Sequence, residues 1–272
     1  MSLQDAVRRY SNAMSGVEQL RRSYSEYGRG RLAISLLKDV QSGRTPDPDD
    51  LRIATGRSDY QRDRGNPGHI SAVRPAIVLS SISTFEGFVE DFLAEALSAA
   101  GYTLAQIARE LGGNNLNNPS VSDWRTLAQK YFAAAVSTTG FSVTIDRYDS
   151  GRNLSAGSSN TNFYTVEAIN WSTAERLASG WMTVRHVITH GGATGLATEV
   201  WPPPIRRADV AATEVLKPEG AGGHTLRFRA AVAVGRLHVH TARYLADQIA
   251  ASVGETLDWA GMPAAFVGPN PS

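Results

Sequence analysis

Apolar residues recur along most of this chain at alternating steps of three and four, the spacing of one face of an α-helix. Leu3, Val7, Tyr10, Met14, Val17 and Leu20 mark a first helix over 2–27, and a second covers about 31–41. The longest stripe is Val78, Ile82, Phe85, Val89, Phe92 and Ala96, within a helix from about 71 to 100. Pro75 lies near its first turn, where proline is tolerated, and Gly101 ends it. A short helix spans about 103–111, and another, capped by Ser122, runs to about 138. Ser172 and Glu175 have the spacing of a capping box and open a helix that ends at Gly191. The last helix covers about 230–258, with Val234, Leu237, Thr241, Leu245, Ile249 and Val253 in its stripe. Turn-forming residues fill the stretches between, and 140–165 reads as irregular. The stretch 205–216 reads as helical, and "HTLRFRA" as a short β element near 225–229. The pattern predicts an all-α fold in three parts: an N-terminal helical extension and loop (1–68), a helical domain (69–259) and a flexible tail (260–272).

Composition narrows the chemistry. The 272 residues can bury a substantial core. No apolar run nears the roughly 20 residues that cross a bilayer, so no membrane is expected. The N-terminus lacks the order of a signal peptide. The absence of cysteine excludes disulfides, thiolate metal sites and cysteine nucleophiles, and it fits a cytoplasmic protein. The net charge is +1, but 24 of the 27 basic residues are arginine. Arginine's planar fork suits phosphate and bases. A GC-rich genome gives the same bias, and the overall charge balance shows no strong basic excess.

One stretch concentrates candidate chemistry: "WMTVRHVITHGG", residues 181–192. On a helical wheel Ala174, Leu177, Trp181, Val184 and Ile188 share a core arc of about 80°. Arg185, Thr189, His186 and His190 fill the next arc, about 140° wide. Arg185 and His190 lie about 7.5 Å apart along the axis, too spread for one straight helix to close on a single phosphate. A copy of the helix across a two-fold axis would complete the set, so a homodimer with the site in its interface is expected. A histidine can exchange a proton near neutral pH, and an arginine can stabilise charge growing on phosphate oxygens. RNA supplies its own nucleophile, the 2′-hydroxyl, so neither a metal nor any other cofactor is needed.

The stretch "RHVITHG" resembles the signature of the HEPN superfamily, all-α domains in which Arg is followed by four to six residues and then His, often as "RN-x-IAHG" late in a helix. Arg185, the polar His186, Val187, Ile188, His190 and Gly191 match in order. The helix "SSISTFEGFVEDFLAEAL" is similar to one in several of these families, with Glu86 at the acidic position within its stripe. The resemblance covers roughly 70–255. It implies an antiparallel helical bundle and metal-independent RNA cleavage leaving a 2′,3′-cyclic phosphate and a 5′-hydroxyl. It also implies a dimer, and a toxin–antitoxin or anti-phage setting with an antitoxin or defence-system partner. Arg185, His190 and His186 become the catalytic candidates, with Thr189 and Glu86 supporting. His186 stands where many members carry Asn or Asp, which leaves open how the two histidines divide proton transfer. A chain of this composition holds roughly 1.6 bare Arg–His matches by chance. Two others, Arg62 and Arg64 to His69, fall in the Gly/Pro-rich "QRDRGNPGH".

Other readings use the same residues. His186 and His190 have zinc-ligand spacing, but "HVITH" has no glutamate between them and no third ligand is evident; His238 and His240 lie two apart on another helix and point apart. Arg185 could be an ion-pair partner of Glu175 or of an acidic residue on another helix, and Glu86 could be that partner. The functional alternative is a non-catalytic HEPN-like module that binds RNA or nucleotide, or scaffolds a complex.

Overall fold

The stripe that begins at Leu3 runs further than its spacing implies. In the computed structural model, which describes residues 2–57, 60, 68–112, 116, 118–148, 164–201 and 211–267, one unbroken helix α1 covers Leu3–Gln41. The two helices expected over 2–27 and 31–41 are therefore one. A glycine inside a helix costs about 1 kcal/mol, but tertiary contact outweighs it. A Cβ at Gly28 would collide with the Tyr60 ring, and Ser25 Oγ donates to Tyr60 O at 3.1 Å. Glycine is what lets that ring lie against the helix.

Seven more helices follow among the described residues: α2 (Pro48–Ala54), α3 (Val73–Ala99), α4 (Leu104–Leu111), α5 (Val121–Phe132), α6 (Trp171–Thr189), α7 (Phe228–Ser252) and α8 (Ala264–Val267). Two short antiparallel strand pairs join them, β1 (Val143–Tyr148) with β2 (Tyr164–Ile169) and β3 (Lys217–Pro218) with β4 (His224–Thr225). The fold is all-α with a minor β component.

The core forms around α3 and α7, which run side by side in the same direction. Arg74 Nη1 donates to Leu226 O at 2.9 Å, Ser81 lies beside Gly235, and Phe85 meets His238 edge-on at 4.8 Å. The other two long helices run against them. Tyr24 of α1 stacks on Phe228 at 4.1 Å, while Tyr10 meets Trp259, past the far end of α7. Trp171 at the start of α6 lies 6.2 Å from Tyr244, and the loop after α6 brings Gly195 against Pro75 and Leu226. Every residue of the α3 stripe is fully buried, as are Leu3, Val7, Tyr10, Met14 and Val17 of α1.

Several local expectations shift. Ser120, not Ser122, caps α5: its hydroxyl accepts from Asp123 N, and the Asp123 carboxylate accepts from Ser120 N at 2.9 Å. Asn170, not Ser172, caps α6 by accepting from Thr173 N at 3.0 Å. Glu175 is then free for other work: it accepts from Trp171 Nε1 at 2.8 Å and pairs with Arg125 of α5. The segment 140–165, read as irregular, contributes all of β1 and the start of β2; "DSGRNLSAGSSNTN" lies outside the described residues. The β element near 225–229 is β4, ending at Thr225, because Phe228 already opens α7. Of 205–216, a 3-10 turn at Ala212–Glu214 is described and 202–210 are not. The tail, expected to be loose, is packed as far as Val267. Met262 and Phe266 are buried, and Arg236 Nε donates to Ala265 O at 2.8 Å.

His238 sits at the centre of this core, its Nδ1–H donating to Val234 O at 2.9 Å. Burial drives its pKa down to about 4. In the unfolded chain the same imidazole binds a proton at its ordinary value of 6.5. Between the two values the unfolded state holds one more proton, so stability falls as pH falls, by about 3 kcal/mol across the window. His240 acts in the same sense, held down to about 4 by burial and then by Arg236 and Arg243. Denaturant titrations of His238→Leu should show a shallower loss of unfolding free energy between pH 6.5 and 4 than wild type; equal slopes would place the acid sensitivity elsewhere.

Candidate functional site

Helix α6 is covered over most of its circumference. Ala174, Leu177, Trp181 and Val184 are buried, as the wheel places them, and Ile188 is half-buried. Burial also reaches Ala178 on the expected polar side and Gly180, Thr183 and Val187 on the far side. Only a strip remains open, and it widens at the last turn, where His186, Thr189 and His190 are exposed. Glycine fixes the end. Gly191 takes the left-handed backbone (φ 70°) that glycine adopts at little cost. Gly191 N then donates to Ile188 O and Gly192 N to Val187 O at 2.8 Å, the hydrogen-bond pair of a Schellman motif. His190 is the C-cap, its side chain beside the negative end of the helix dipole.

Arg185 turns away from the histidines toward α3. Its Nη1 donates to Glu86 Oε1 at 2.6 Å, and its Nη2 to Asn118 Oδ1 at 3.2 Å. The His186 and His190 rings lie against each other with centroids 4.4 Å apart and their planes tilted by 47°. Thr189 Oγ donates to the carbonyls of Arg185 and His186. A hydroxyl has one proton to give, so Thr189 offers phosphate no donor in this conformation.

Glu86 lies in the middle of the buried α3 stripe, 6 % exposed. Burial pushes its carboxyl up to about 7; the Arg185 charge pulls it back, and Glu90, one turn on, adds a smaller push upward. The unfolded chain releases that proton near 4.5. From pH 4.5 to 7 the folded state therefore holds the extra proton, and stability from this group, full below 4.5, is lost as pH rises toward 7. Glu86→Gln keeps an acceptor for Arg185 and removes the titration. Thermal midpoints of this variant should decline less than those of wild type over that range.

Each remaining candidate has a definite place. Glu175 belongs to Arg125 and Trp171, not to Arg185. His238 is locked in the core, away from any exposed cluster. Among the described residues no three His, Asp or Glu side chains gather as metal ligands, and no helix is long and apolar enough to cross a membrane. Arg62 and Arg64 of the two other Arg–His matches lie outside the described residues. Sequence reasoning missed Asn118. It sits in a loop with no periodicity, and its one local signal is an asparagine before a proline, in "NNPS". No protein-family model matches the chain, and no curated protein or solved structure does.

Proposed function

We propose that this chain is a metal-independent endoribonuclease of the HEPN type, acting on RNA in the cytoplasm. The observation that carries the reading is the arrangement at the end of α6: Arg185 held by a buried carboxyl group, with His186 and His190 in contact and exposed beside it. The RNA 2′-hydroxyl attacks phosphorus as a histidine takes its proton. The bond to the 5′ oxygen breaks, and a protonated histidine gives that oxygen a proton. A 2′,3′-cyclic phosphate and a 5′-hydroxyl result. Arg185 stabilises the charge on the non-bridging oxygens, His190 transfers protons, and His186 binds phosphate or shares the transfer. Because Arg185 and the histidines diverge on one helix, a second copy of α6 completes the centre in a homodimer. Such an activity needs restraint, which fits a toxin–antitoxin or anti-phage setting with a protein partner.

Wild type, Arg185→Ala and His190→Ala are incubated with total RNA and a chelator. The expected result is cleavage by wild type alone, leaving cyclic phosphate ends. Cleavage that the chelator abolishes sinks the metal-free chemistry. One observation favours a second reading, a non-catalytic module that binds RNA or nucleotide or scaffolds a complex: Arg185 already has a partner on each terminal nitrogen. Dimers that bind RNA without cutting it would establish that reading.

A further inference from the structure

Arg185 is gripped at two points, by elements that approach it from different parts of the chain. Glu86 of α3 takes Nη1, and Asn118, in the loop before α5, takes Nη2. We propose that Asn118 is a positioning residue that fixes the plane of the Arg185 guanidinium, an inference that rests on assigning Arg185 to the phosphate. With Glu86 alone, the fork can swing about a single hydrogen bond. A second acceptor on the other terminal nitrogen stops the swing. A group aimed in advance stabilises developing charge better than one that must reorient during the reaction.

The backbone at Asn118 supports this. Its φ is 54°, one of two left-handed non-glycine residues among those described. Asparagine tolerates that region better than most residues, but Pro119 follows, and a proline biases its predecessor toward extended backbone. The surroundings hold the unusual conformation: Leu116 and Pro119 are buried on either side of the exposed Asn118, and Ser120 begins the capping box of α5. A strained residue kept by its neighbours, with its side chain aimed at a candidate catalytic group, is the pattern expected where backbone strain serves a site.

Two variants separate positioning from folding. Asn118→Gly accepts the left-handed backbone and removes the amide; Asn118→Asp keeps an acceptor oxygen in the same place. Side-chain NMR of the arginine Nη groups reads the grip directly, with the Arg185 signals assigned by their loss in Arg185→Lys. Wild type and Asn118→Asp should show separate Nη1 and Nη2 signals, and Asn118→Gly one averaged signal. In RNA cleavage Asn118→Gly should lower kcat about tenfold with KM unchanged, and Asn118→Asp should restore most of it. Separate signals in Asn118→Gly, or averaged ones in wild type, would overturn the proposal. Full cleavage by Arg185→Lys would instead remove Arg185 from the chemistry, and the NMR result would still decide whether Asn118 holds it.

Discussion

Replacing His190 with alanine should slow RNA cleavage by about a hundred- to ten-thousand-fold while moving the melting temperature by no more than about two degrees. The two halves of this result have separate causes. His190 is exposed, its φ of −95° suits alanine, and the hydrogen bonds that end α6 run through backbone groups. Its ring lies tilted against that of His186 and meets no core residue among those described. Stability therefore has little to lose, whereas a proton carrier has no substitute in alanine. Arg185→Ala is a poorer probe, because it leaves Glu86 buried without its cation. Losing one partner of a buried pair is costly where the other must stay charged, so the cost should be largest above pH 7 and shrink below it, where Glu86 takes up a proton. Single-turnover rates of His186→Ala and His190→Ala then divide the roles, the larger loss marking the proton carrier. A wild-type rate in His190→Ala would exclude it from the chemistry.

The helical stripes were readable because burial imposes them. Val78 through Ala96, and Leu3 through Val17, point inward at helical spacing wherever the caps fall. Caps were harder, since Ser120 and Ser122, or Asn170 and Ser172, offer similar side chains within two residues and only the chain's path selects between them. The β1–β2 pair has a local signal as well. Phe141, Val143 and Ile145 are buried while Ser142 and Thr144 are exposed, the period of two of a half-buried strand. At the candidate site, the wheel placed Arg185, His186, Thr189 and His190 on one arc, and the acidic position in the α3 stripe marked Glu86. Direction was not readable. Whether Arg185 points at the histidines or away depends on where α3 crosses α6, and Glu86 and Asn118 lie 99 and 67 residues away in sequence. No local spacing encodes such a meeting.

Trp124→Ala should cost about 3–5 kcal/mol, a large part of the 5–15 kcal/mol that holds a typical domain together, and lower the melting temperature by about 10 °C. Trp124 is fully buried, edge-on to Phe92 at 6.0 Å and to Phe88 at 6.4 Å, and its Nε1 donates to Thr241 O at 3.3 Å. It thus fastens α5 to both α3 and α7. Trp124→Phe should lose less, keeping most of the volume and losing the hydrogen bond. The effect should reach Arg185 as well. α5 begins at the Asn118–Ser120 turn and carries the Arg125 that pairs with Glu175 of α6, so loosening α5 loosens the second anchor of the guanidinium. Well below its lowered midpoint, Trp124→Ala should therefore show a reduced kcat in the manner of Asn118→Gly, together with an instability that Asn118→Gly does not share. His190→Ala gives the opposite separation, activity lost and stability kept. An unchanged midpoint in Trp124→Ala would mean that α5 is not fastened through this side chain, and the rigidity assigned to the Asn118 turn would lose its physical basis.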